Sequence, residues 1–482
     1  MGRYALAIDA GTTGVRAILF DAAGVARVAA YRELTTRYPR PGWVEQDADA
    51  LWQRAREVVA EAVRSVSAAP GEIATVGITN QRGSAVAWDA RTLEPLAPML
   101  VWQDVRTADR CRELGEQGFF VTPNTSVTKY EWIAKHVDAA RDALAAGALC
   151  LGTPDSWLAS KLTGGLHATD HSNASATGVY AHFERTWDTA LLDAVDLDAA
   201  QLPKLVDSSG EFGRTSTEAI GFEAPLAALC GDQQASLFGL GCRERGLTKC
   251  SYGTSAMVDV NTADSVTAGG PGTYPLVAWS IAGEVTYCVE GLVVTAGAAV
   301  QWLRDGIGIL ADAAEITPLA ASVADSGGAW VVPAFQGLGA PYGLSGARAM
   351  IGGLTRGTSR AHIARAFLEG IAQRVADAAE CVWAASSTPA ALRADGGASA
   401  NEVLMQLQAD LLGLPVECSR ERDGAALGAA ALAAQATGFW GGGDVDAWRP
   451  ARVFEPAIAA DVREQRREQW KRRLALATQD LV

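Results

Sequence analysis

The chain has 482 residues, of which 49% are hydrophobic and 20% are charged, and its formal net charge is −14. This length favours two or more domains, and the acidic balance argues against nucleic acid as a partner because like charges repel. No run of about 18 apolar residues occurs, so the sequence predicts no membrane span. Asp9 comes too early for a secretory signal, and the eight cysteines form no C-x-x-C pair, which indicates a cytoplasmic protein with reduced thiols.

The chain begins with a predicted β-meander whose first turn is rich in glycine and threonine. Residues 4–8 form an apolar run, D-A-G-T-T-G follows at 9–14, and further strands are predicted at 15–19 and 25–30. Such a turn offers backbone N–H groups and hydroxyls to phosphate oxygens. Asp9 stands beside it, where a carboxylate suits Mg²⁺, although a solvated strand-end carboxylate is the simpler alternative.

Two polar segments follow later apolar strands. T-N-Q-R-G at 79–83 comes after the predicted strand 73–78, which places Arg82 at a carboxyl end, where open α/β sheets bind ligands. A-L-C-G-D-Q-Q at 228–234 ends a second apolar stretch, 224–230. Asp232 is therefore the best-placed acid to take the proton of an attacking hydroxyl. As an alternative, Asp232 caps a helix that begins at Gln233.

The second half of the chain repeats this design. K-C-S-Y-G-T-S at 249–255 again leads through a Gly-Thr turn into a strand, so we predict two related domains, 1–240 and 241–482. Apolar residues at a spacing of four predict a helix from 358 to 383. D-G-G-A at 395–398 precedes another helix, whose start is predicted at a capping box beginning with Ser399. Three glycine-rich turns together predict a site for nucleotide phosphates.

Seven ordered motifs give the sequence a family resemblance. They are D-A-G-T-T-G-V-R, P-G-W-V-E-Q-D, G-I-T-N-Q-R, G-D-Q-Q-A-S-L-F-G, Y-G-T-S, V-P-A-F-Q-G-L-G-A-P-Y and D-G-G-A-S-A-N, and they run from about Tyr4 to about Trp440. With them the sequence resembles the FGGY carbohydrate kinases, above all the members that phosphorylate glycerol. The resemblance implies an α/β fold with two actin-like (ribonuclease-H-like) ATPase domains flanking a catalytic cleft. The first domain would bind the acceptor and the second the adenosine.

The resemblance also implies a reaction and the residues that perform it. An ATP-dependent kinase would phosphorylate a terminal hydroxyl of glycerol or a related polyol, and from glycerol it would make glycerol 3-phosphate and ADP. Asp232 matches the general base, and Mg²⁺ is expected at Asp9 and Asp232. The residues that match the acceptor pocket are Arg82, Gly83, Trp102, Asn124, Asp232, Gln233 and Met257. Those that match the nucleotide contacts are Thr12, Thr13, Gly14, Arg16, Thr254, Gly297, Gln301, Gly397 and Asn401.

The acceptor pocket departs from the glycerol pattern at three positions. Where that pattern has Glu, Tyr and Phe, this sequence has Gly83, Asn124 and Met257. Two of these side chains are smaller and would open space, so a small triol would leave buried polar groups without partners, at a cost of about 1–3 kcal/mol each. A four- or five-carbon polyol or a ketose therefore stands beside glycerol as the predicted acceptor.

A non-catalytic alternative stays open as well. A sensor that binds ATP and a sugar without transferring phosphate could also carry Gly83 and Asn124, although Asp9, Asp232 and both threonine turns favour the kinase. Filament proteins and chaperones of the actin-like fold have no need of a hydroxyl pocket. For the assembly of the chain, a homodimer and a homotetramer both stay open.

Overall fold

The structure is a computed structural model, and it describes residues 3–440 and 448–479. The chain divides into two compact units. Unit 1 comprises Met1–Gly239, Leu276–Thr286 and Ala425–Ala447, and unit 2 comprises Leu240–Pro275, Tyr287–Gly424 and Trp448–Val482. Unit 1 therefore takes up two segments from beyond residue 240. The division of the chain at residue 240 into two domains stays a prediction.

The first 239 residues alternate between strands and helices. The strands are β1 (Tyr4–Ala10), β2 (Gly14–Asp21), β3 (Ala26–Glu33), β4 (Thr36–Arg37), β5 (Glu45–Gln46), β6 (Ile73–Asn80), β7 (Val86–Asp89), β8 (Met99–Leu100), β9 (Leu149–Gly152), β10 (Ala168–Asp170), β11 (Tyr180–Ala181), β12 (Thr186–Trp187), β13 (Lys204–Val206), β14 (Ser209–Arg214) and β15 (Pro225–Gly231). The helices are α1 (Ala48–Ser65), α2 (Ala108–Glu116), α3 (Val127–His136), α4 (Asp138–Ala145), α5 (Pro154–Thr163), α6 (His171–Ser175), α7 (Thr189–Ala194), α8 (Thr217–Ile220) and α9 (Asp232–Gly239).

The later part of the chain has the same mixed character. Its strands are β16 (Thr248–Tyr252), β17 (Ala256–Ala263), β18 (Thr273–Ile281), β19 (Glu284–Val293), β20 (Trp330–Val332), β21 (Met350–Gly352), β22 (Leu392–Asp395), β23 (Val416–Cys418) and β24 (Arg452–Phe454). Its helices are α10 (Gly297–Asp305), α11 (Ile316–Ala321), α12 (Arg360–Trp383), α13 (Glu402–Leu412), α14 (Gly424–Thr437) and α15 (Ala460–Thr478).

The sheet of unit 1 has the strand order β3-β2-β1-β6-β15-β14-β18, where β18 contributes its residues from Leu276 onward. The predicted meander β1–β2–β3 is confirmed as antiparallel, while β1, β6 and β15 run parallel. Apolar side chains such as Leu6, Ile8 and Val76 pack with the apolar stripe of α1, which includes Leu51 and Val58. This packing fixes the face of the sheet that is buried and leaves the carboxyl ends of its parallel strands to carry polar residues.

The three parallel strands of unit 1 end level with one another. Asn80 at the end of β6 is in register with Ala10 of β1 and with Gly231 of β15. The residues that come next are the glycine-threonine turn, the segment of Arg82, and Asp232. Register alone therefore brings three of the predicted polar segments to one edge of the sheet.

The sheet of unit 2 follows the same plan, with the order β24-β23-β22-β16-β17-β19. Strand β17 pairs antiparallel with both β16 and β19, and β16, β22 and β23 run parallel. Ser251 of β16 is in register with Asp395 of β22, so their following glycine turns also start at one edge. The repeated design predicted from the Gly-Thr turns is confirmed.

Two predicted helices of unit 2 can be compared with the structure. Helix α12 confirms the prediction for 358–383, and Phe367 and Ile371 lie in the core of the unit. The predicted start of α13 at Ser399 is wrong. Asn401 is the cap residue, because its Oδ1 accepts a hydrogen bond from the N–H of Leu404 at 3.1 Å, while the hydroxyl of Ser399 donates to the carbonyl of Gly396 at 2.7 Å.

Two further sequence predictions concern the state of the cysteines and the presence of membrane-spanning helices. All eight cysteines are buried free thiols. In the described part of the chain, every helix is too short or too polar to cross a bilayer.

Candidate active site

Arg82 and Asp232 are in contact where β6 and β15 end. The Nε–H of Arg82 donates to Oδ1 of Asp232 at 3.0 Å, and the backbone N–H of Gln233 donates to the same oxygen at 2.8 Å. A Cβ on Gly231 would lie 2.7 Å from Cδ of Arg82, so the glycine is what lets the arginine lie across the strand end. The carboxylate is thus fixed through Oδ1.

The glycine-threonine turn closes the hairpin between β1 and β2. The N–H of Gly11 donates to the carbonyl of Gly14, and the hydroxyl of Tyr31 donates to the carbonyl of Thr13, both at 3.0 Å. A Cβ on Gly14 would lie 2.4 Å from the carbonyl oxygen of Arg32, which leaves glycine as the residue that fits. The side chain of Thr13 is exposed at the tip of this turn. A turn of this form suits phosphate oxygens.

The side chain of Thr12 joins the turn to the predicted acceptor residues. Its hydroxyl accepts a hydrogen bond from the indole N–H of Trp102 at 3.0 Å and donates to Oε1 of Gln81 at 3.3 Å. The buried Gln46 donates to the carbonyl of Thr12 at 2.6 Å and accepts from Gln81 at 3.1 Å. Trp102 is therefore held by the glycine-threonine turn itself. Gln46 was not singled out from the sequence, although it lies in the quoted motif P-G-W-V-E-Q-D.

Asp9 and Arg16 face each other across the same hairpin. They are in register, with 3.9 Å between Nη1 of Arg16 and Oδ2 of Asp9, and the guanidinium of Arg16 lies 5.3 Å from the ring centre of Tyr31. In the described residues, no group of three or more His, Cys, Asp or Glu side chains could hold a metal ion. Mg²⁺ commonly binds through one or two carboxylates together with phosphates and waters, so the oxygen donors Asp9 and Asp232 fit it chemically.

Gly83 is packed tightly against the backbone of Asn124. A Cβ on Gly83 would lie 2.1 Å from the carbonyl oxygen of Asn124, and the φ angle of Gly83 is +70°. The expectation that a glycine here opens space for a longer acceptor is therefore wrong at this position, because the chain itself occupies that space. The side chain of Asn124 donates to the carbonyl of Trp102 at 3.2 Å, so Gly83, Asn124 and Trp102 are mutual neighbours.

A buried lysine fastens this contact. The Nζ of Lys129, which is fully buried, donates to the carbonyls of Gly83 at 3.1 Å, Pro123 at 2.7 Å and Thr125 at 2.9 Å. Three carbonyls match the three N–H groups of an ammonium, while burial lowers the pKa of Lys129 to about 7. The sequence reasoning missed this residue, although it lies five positions after Asn124, which was predicted to line the acceptor pocket.

The lowered pKa of Lys129 predicts a pH-dependent stability. Between about pH 7 and pH 10 the unfolded chain holds a proton that folded Lys129 releases, so this residue makes the free energy of unfolding rise with pH. We expect the difference in unfolding free energy between the native chain and Lys129→Met to grow by about 1 kcal/mol per pH unit from pH 7 to 9. Urea titrations with the exposed Lys204→Met as control measure it. A difference that is constant, or that grows as pH falls, contradicts the prediction.

The predicted nucleotide residues of unit 2 lie in two groups. In the first, α10 begins against the Gly-Thr turn, with N–H groups of Ala296 and Ala298 donating to the carbonyl of Thr254 at 3.0 Å. A Cβ on Gly297 would lie 2.6 Å from the carbonyl oxygen of Gly253, so the helix can approach the turn only with glycine there. Gln301 lies on α10 and is exposed.

The second group follows β22. Gly396 has a φ angle of +85°, and a Cβ on it would lie 2.5 Å from the carbonyl oxygen of Tyr252. Gly397 begins a turn of 3₁₀ helix, and Asn401 caps α13. The hydroxyl of Ser251 donates to Oδ1 of Asp395 at 2.5 Å and so ties the two strand ends together. The 253–255 turn and the 396–401 segment therefore belong to one edge of the unit 2 sheet.

The predicted site residues are thus divided between the two units. Unit 1 holds the first turn, Arg16 and the acceptor residues around Arg82 and Asp232. Met257, which was predicted to line the acceptor pocket, is in β17 of unit 2, in register with Ser251 and Leu292. Gln233 lies on the first turn of α9 and is half-buried.

Comparison with known proteins identifies the class to which this fold and site belong. Residues 4–239 match the N-terminal domain, and residues 248–437 the C-terminal domain, of the FGGY family of carbohydrate kinases. The chain belongs to this family and is a kinase. Membership of this kinase family implies that ATP is a substrate.

Several relatives match almost the whole length of this chain. The glycerol kinase of Bordetella parapertussis is 45% identical and covers 98% of this chain and 97% of its own length. The glycerol kinase of Dechloromonas aromatica is also 45% identical, with 98% and 96% covered. The crystal structure of Plasmodium falciparum glycerol kinase with ADP superposes with a TM-score of 0.90 at 26% identity, covering 99% of this chain and 98% of that one.

Proposed function

We propose that this kinase transfers the γ-phosphoryl group of ATP to a terminal hydroxyl of glycerol, giving glycerol 3-phosphate and ADP. The observation that carries the proposal is the contact of Arg82 with Asp232 at the sheet edge where the glycine-threonine turn also begins. An anchored carboxylate beside a phosphate turn and an arginine is the set that a hydroxyl acceptor requires. The relatives from Bordetella parapertussis and Dechloromonas aromatica, both glycerol kinases at 45% identity, supply the acceptor.

Asp232 acts as the general base in this proposal. Its Oδ1 is fixed by Arg82 and by the N–H of Gln233, so Oδ2 takes the proton of the acceptor hydroxyl as the hydroxyl oxygen bonds to phosphorus. The bond from phosphorus to the bridging oxygen of ADP breaks in the same displacement. The side chain of Arg82 is only 10% exposed, and its planar set of N–H donors orients the acceptor hydroxyls.

The phosphate groups are assigned to the glycine-rich turns. In unit 1, the backbone of residues 11–14 and the hydroxyls of Thr12 and Thr13 would contact them. In unit 2, Thr254 and the 396–401 segment would contact the nucleotide, with Gly297, Gln301 and Asn401 beside them. Asp9 and Asp232 would hold Mg²⁺, which neutralises phosphate charge when it is bound.

A longer polyol or ketose is the second candidate acceptor. The sequence places it beside glycerol because Gly83, Asn124 and Met257 depart from the glycerol pattern. The contact between Gly83 and Asn124 weakens that argument, since the backbone carbonyl of Asn124 fills the space beside Gly83. Met257 remains a departure that this contact does not explain.

A panel of acceptors tests the proposal. ADP release with ATP and Mg²⁺ would be measured for glycerol, erythritol, ribitol, xylitol and xylulose, with Asp232→Asn as the blank. We expect glycerol to give the highest kcat/KM by at least tenfold. If a longer acceptor leads, the family assignment holds and the acceptor is wrong. If no acceptor exceeds the blank, neither glycerol as the acceptor nor Asp232 as the general base is supported.

A further inference from the structure

The short helix α6 contacts the ends of both strands that deliver the predicted catalytic residues. Its Ser172 is fully buried, and the hydroxyl oxygen accepts a hydrogen bond from the N–H of Gly231 at 2.9 Å. Gly231 is the last residue of β15 and precedes Asp232 directly. The hydroxyl itself donates toward Sγ of Cys230 at 3.5 Å. One side chain therefore holds the Cys230–Gly231 peptide, one residue before Asp232.

The neighbouring residue of α6 holds the other strand end. Asn173 and Asn80 are both fully buried and form a reciprocal amide pair, with Nδ2 of Asn80 donating to Oδ1 of Asn173 at 2.9 Å and Nδ2 of Asn173 donating to Oδ1 of Asn80 at 3.2 Å. The same Nδ2 of Asn80 donates to the carbonyl of Gln81 at 2.9 Å. That carbonyl belongs to the peptide bond that joins Gln81 to Arg82.

A buried carboxylate fixes α6 in turn. Asp170 accepts hydrogen bonds from the backbone N–H groups of Ser172 at 3.0 Å and Asn173 at 2.9 Å. It also accepts from Nδ2 of Asn173 at 3.0 Å and from the hydroxyl of Ser208 at 2.6 Å. The helix cannot shift without breaking this set, so both of its contacts to the strand ends are rigidly placed.

We propose that Ser172 and Asn173 are positioning residues of the kinase reaction. Ser172 sets the position of Asp232 through the N–H of Gly231, and Asn173 sets the position of Arg82 through Asn80 and the carbonyl of Gln81. The inference rests on the proposed roles of Asp232 in proton transfer and of Arg82 in acceptor binding. Since a displacement of about 1 Å can cost about a hundredfold in rate, the two contacts should have separate kinetic signatures.

The test compares Ser172→Ala with Asn173→Ala. We expect Ser172→Ala to lower kcat at least tenfold with little change in KM for glycerol, because the base is displaced. We expect Asn173→Ala to raise KM for glycerol at least tenfold, because Arg82 loses its orientation. Neither substitution should change KM for ATP by more than about twofold. If Asn173→Ala is insoluble, the smaller Ser172→Ala decides the question alone.

Thr215→Val is the matched control, because Thr215 supports the opposite end of β15. Its hydroxyl is equally buried, accepts the N–H of Ala224 at 3.0 Å and donates to the carbonyl of Phe222 at 3.0 Å. We expect Thr215→Val to lower Tm as Ser172→Ala does, but to keep the native kcat. Equal kinetic losses in both variants, or none in Ser172→Ala, overturn the inference. Lack of activity in the native chain would instead overturn the proposed function.

Discussion

Asp232→Asn is expected to lower kcat for glycerol about a thousandfold while the fold stays intact. The amide oxygen can still accept the hydrogen bonds that Arg82 and the N–H of Gln233 give to Oδ1, so the local structure has little reason to change. What the variant lacks is a carboxylate oxygen that can take a proton, and general-base catalysis contributes about 10²–10⁴-fold. Steady-state kinetics with saturating ATP and Mg²⁺ measure the loss.

Asp188→Asn provides the control for this experiment. Asp188 also starts a helix, and its Oδ1 accepts the N–H groups of Ala190 at 3.0 Å and Leu191 at 3.1 Å. Since an asparagine cap preserves such bonds, the control should keep both Tm and kcat. A kcat of Asp232→Asn within tenfold of the native value would mean that another group takes the proton.

Gly83→Ala has the second largest expected effect. The added Cβ would lie 2.1 Å from the carbonyl oxygen of Asn124, so the 123–125 segment must move by about 1 Å or more, which can cost about a hundredfold in rate. That segment also carries the bond from Asn124 to Trp102. We expect kcat/KM for glycerol to fall about a hundredfold and Tm to fall by several degrees.

Gly147→Ala separates backbone strain from the steric clash. Gly147 has a φ angle of +63°, close to the +70° of Gly83, but among the described residues no atom beyond its two chain neighbours lies within 4 Å of a Cβ placed on it. The substitution should therefore cost only the left-handed strain of about 1–2 kcal/mol and leave kinetics unchanged. If both variants lose the same stability and Gly83→Ala keeps its kcat/KM, the packing at Gly83 has no role in the acceptor site.

Strand ends made part of this site predictable from the sequence. Asp9, Arg82 and Asp232 each follow a short apolar run, and the register of the three parallel strands brings their segments to one edge. Local patterns are sufficient there because a parallel sheet fixes which residues become neighbours. The repeat of strand, Gly-Thr turn and strand in unit 2 was predictable because a hairpin joins segments that are adjacent in sequence.

Contacts between segments that are distant in the chain could not be predicted from the sequence. The sequence suggested that Gly83 makes room, whereas its neighbour is the backbone of Asn124, and Lys129 gave no sign that it donates to three carbonyls. Ser399 and Asn401 are both residue types that cap the N-terminus of a helix, and Asn401 is the one that caps α13. Such outcomes depend on tertiary packing, which propensity and spacing do not determine.

The central claim, phosphoryl transfer to a terminal hydroxyl, is tested most directly by the product. Native enzyme would be incubated with ATP, Mg²⁺ and glycerol, and ³¹P and ¹³C NMR would quantify ADP and the position of the new phosphate ester. We predict one glycerol 3-phosphate for each ADP formed, with no ester at the central carbon. ADP that accumulates with inorganic phosphate and without any glycerol ester would contradict the proposed roles of Arg82 and Asp232.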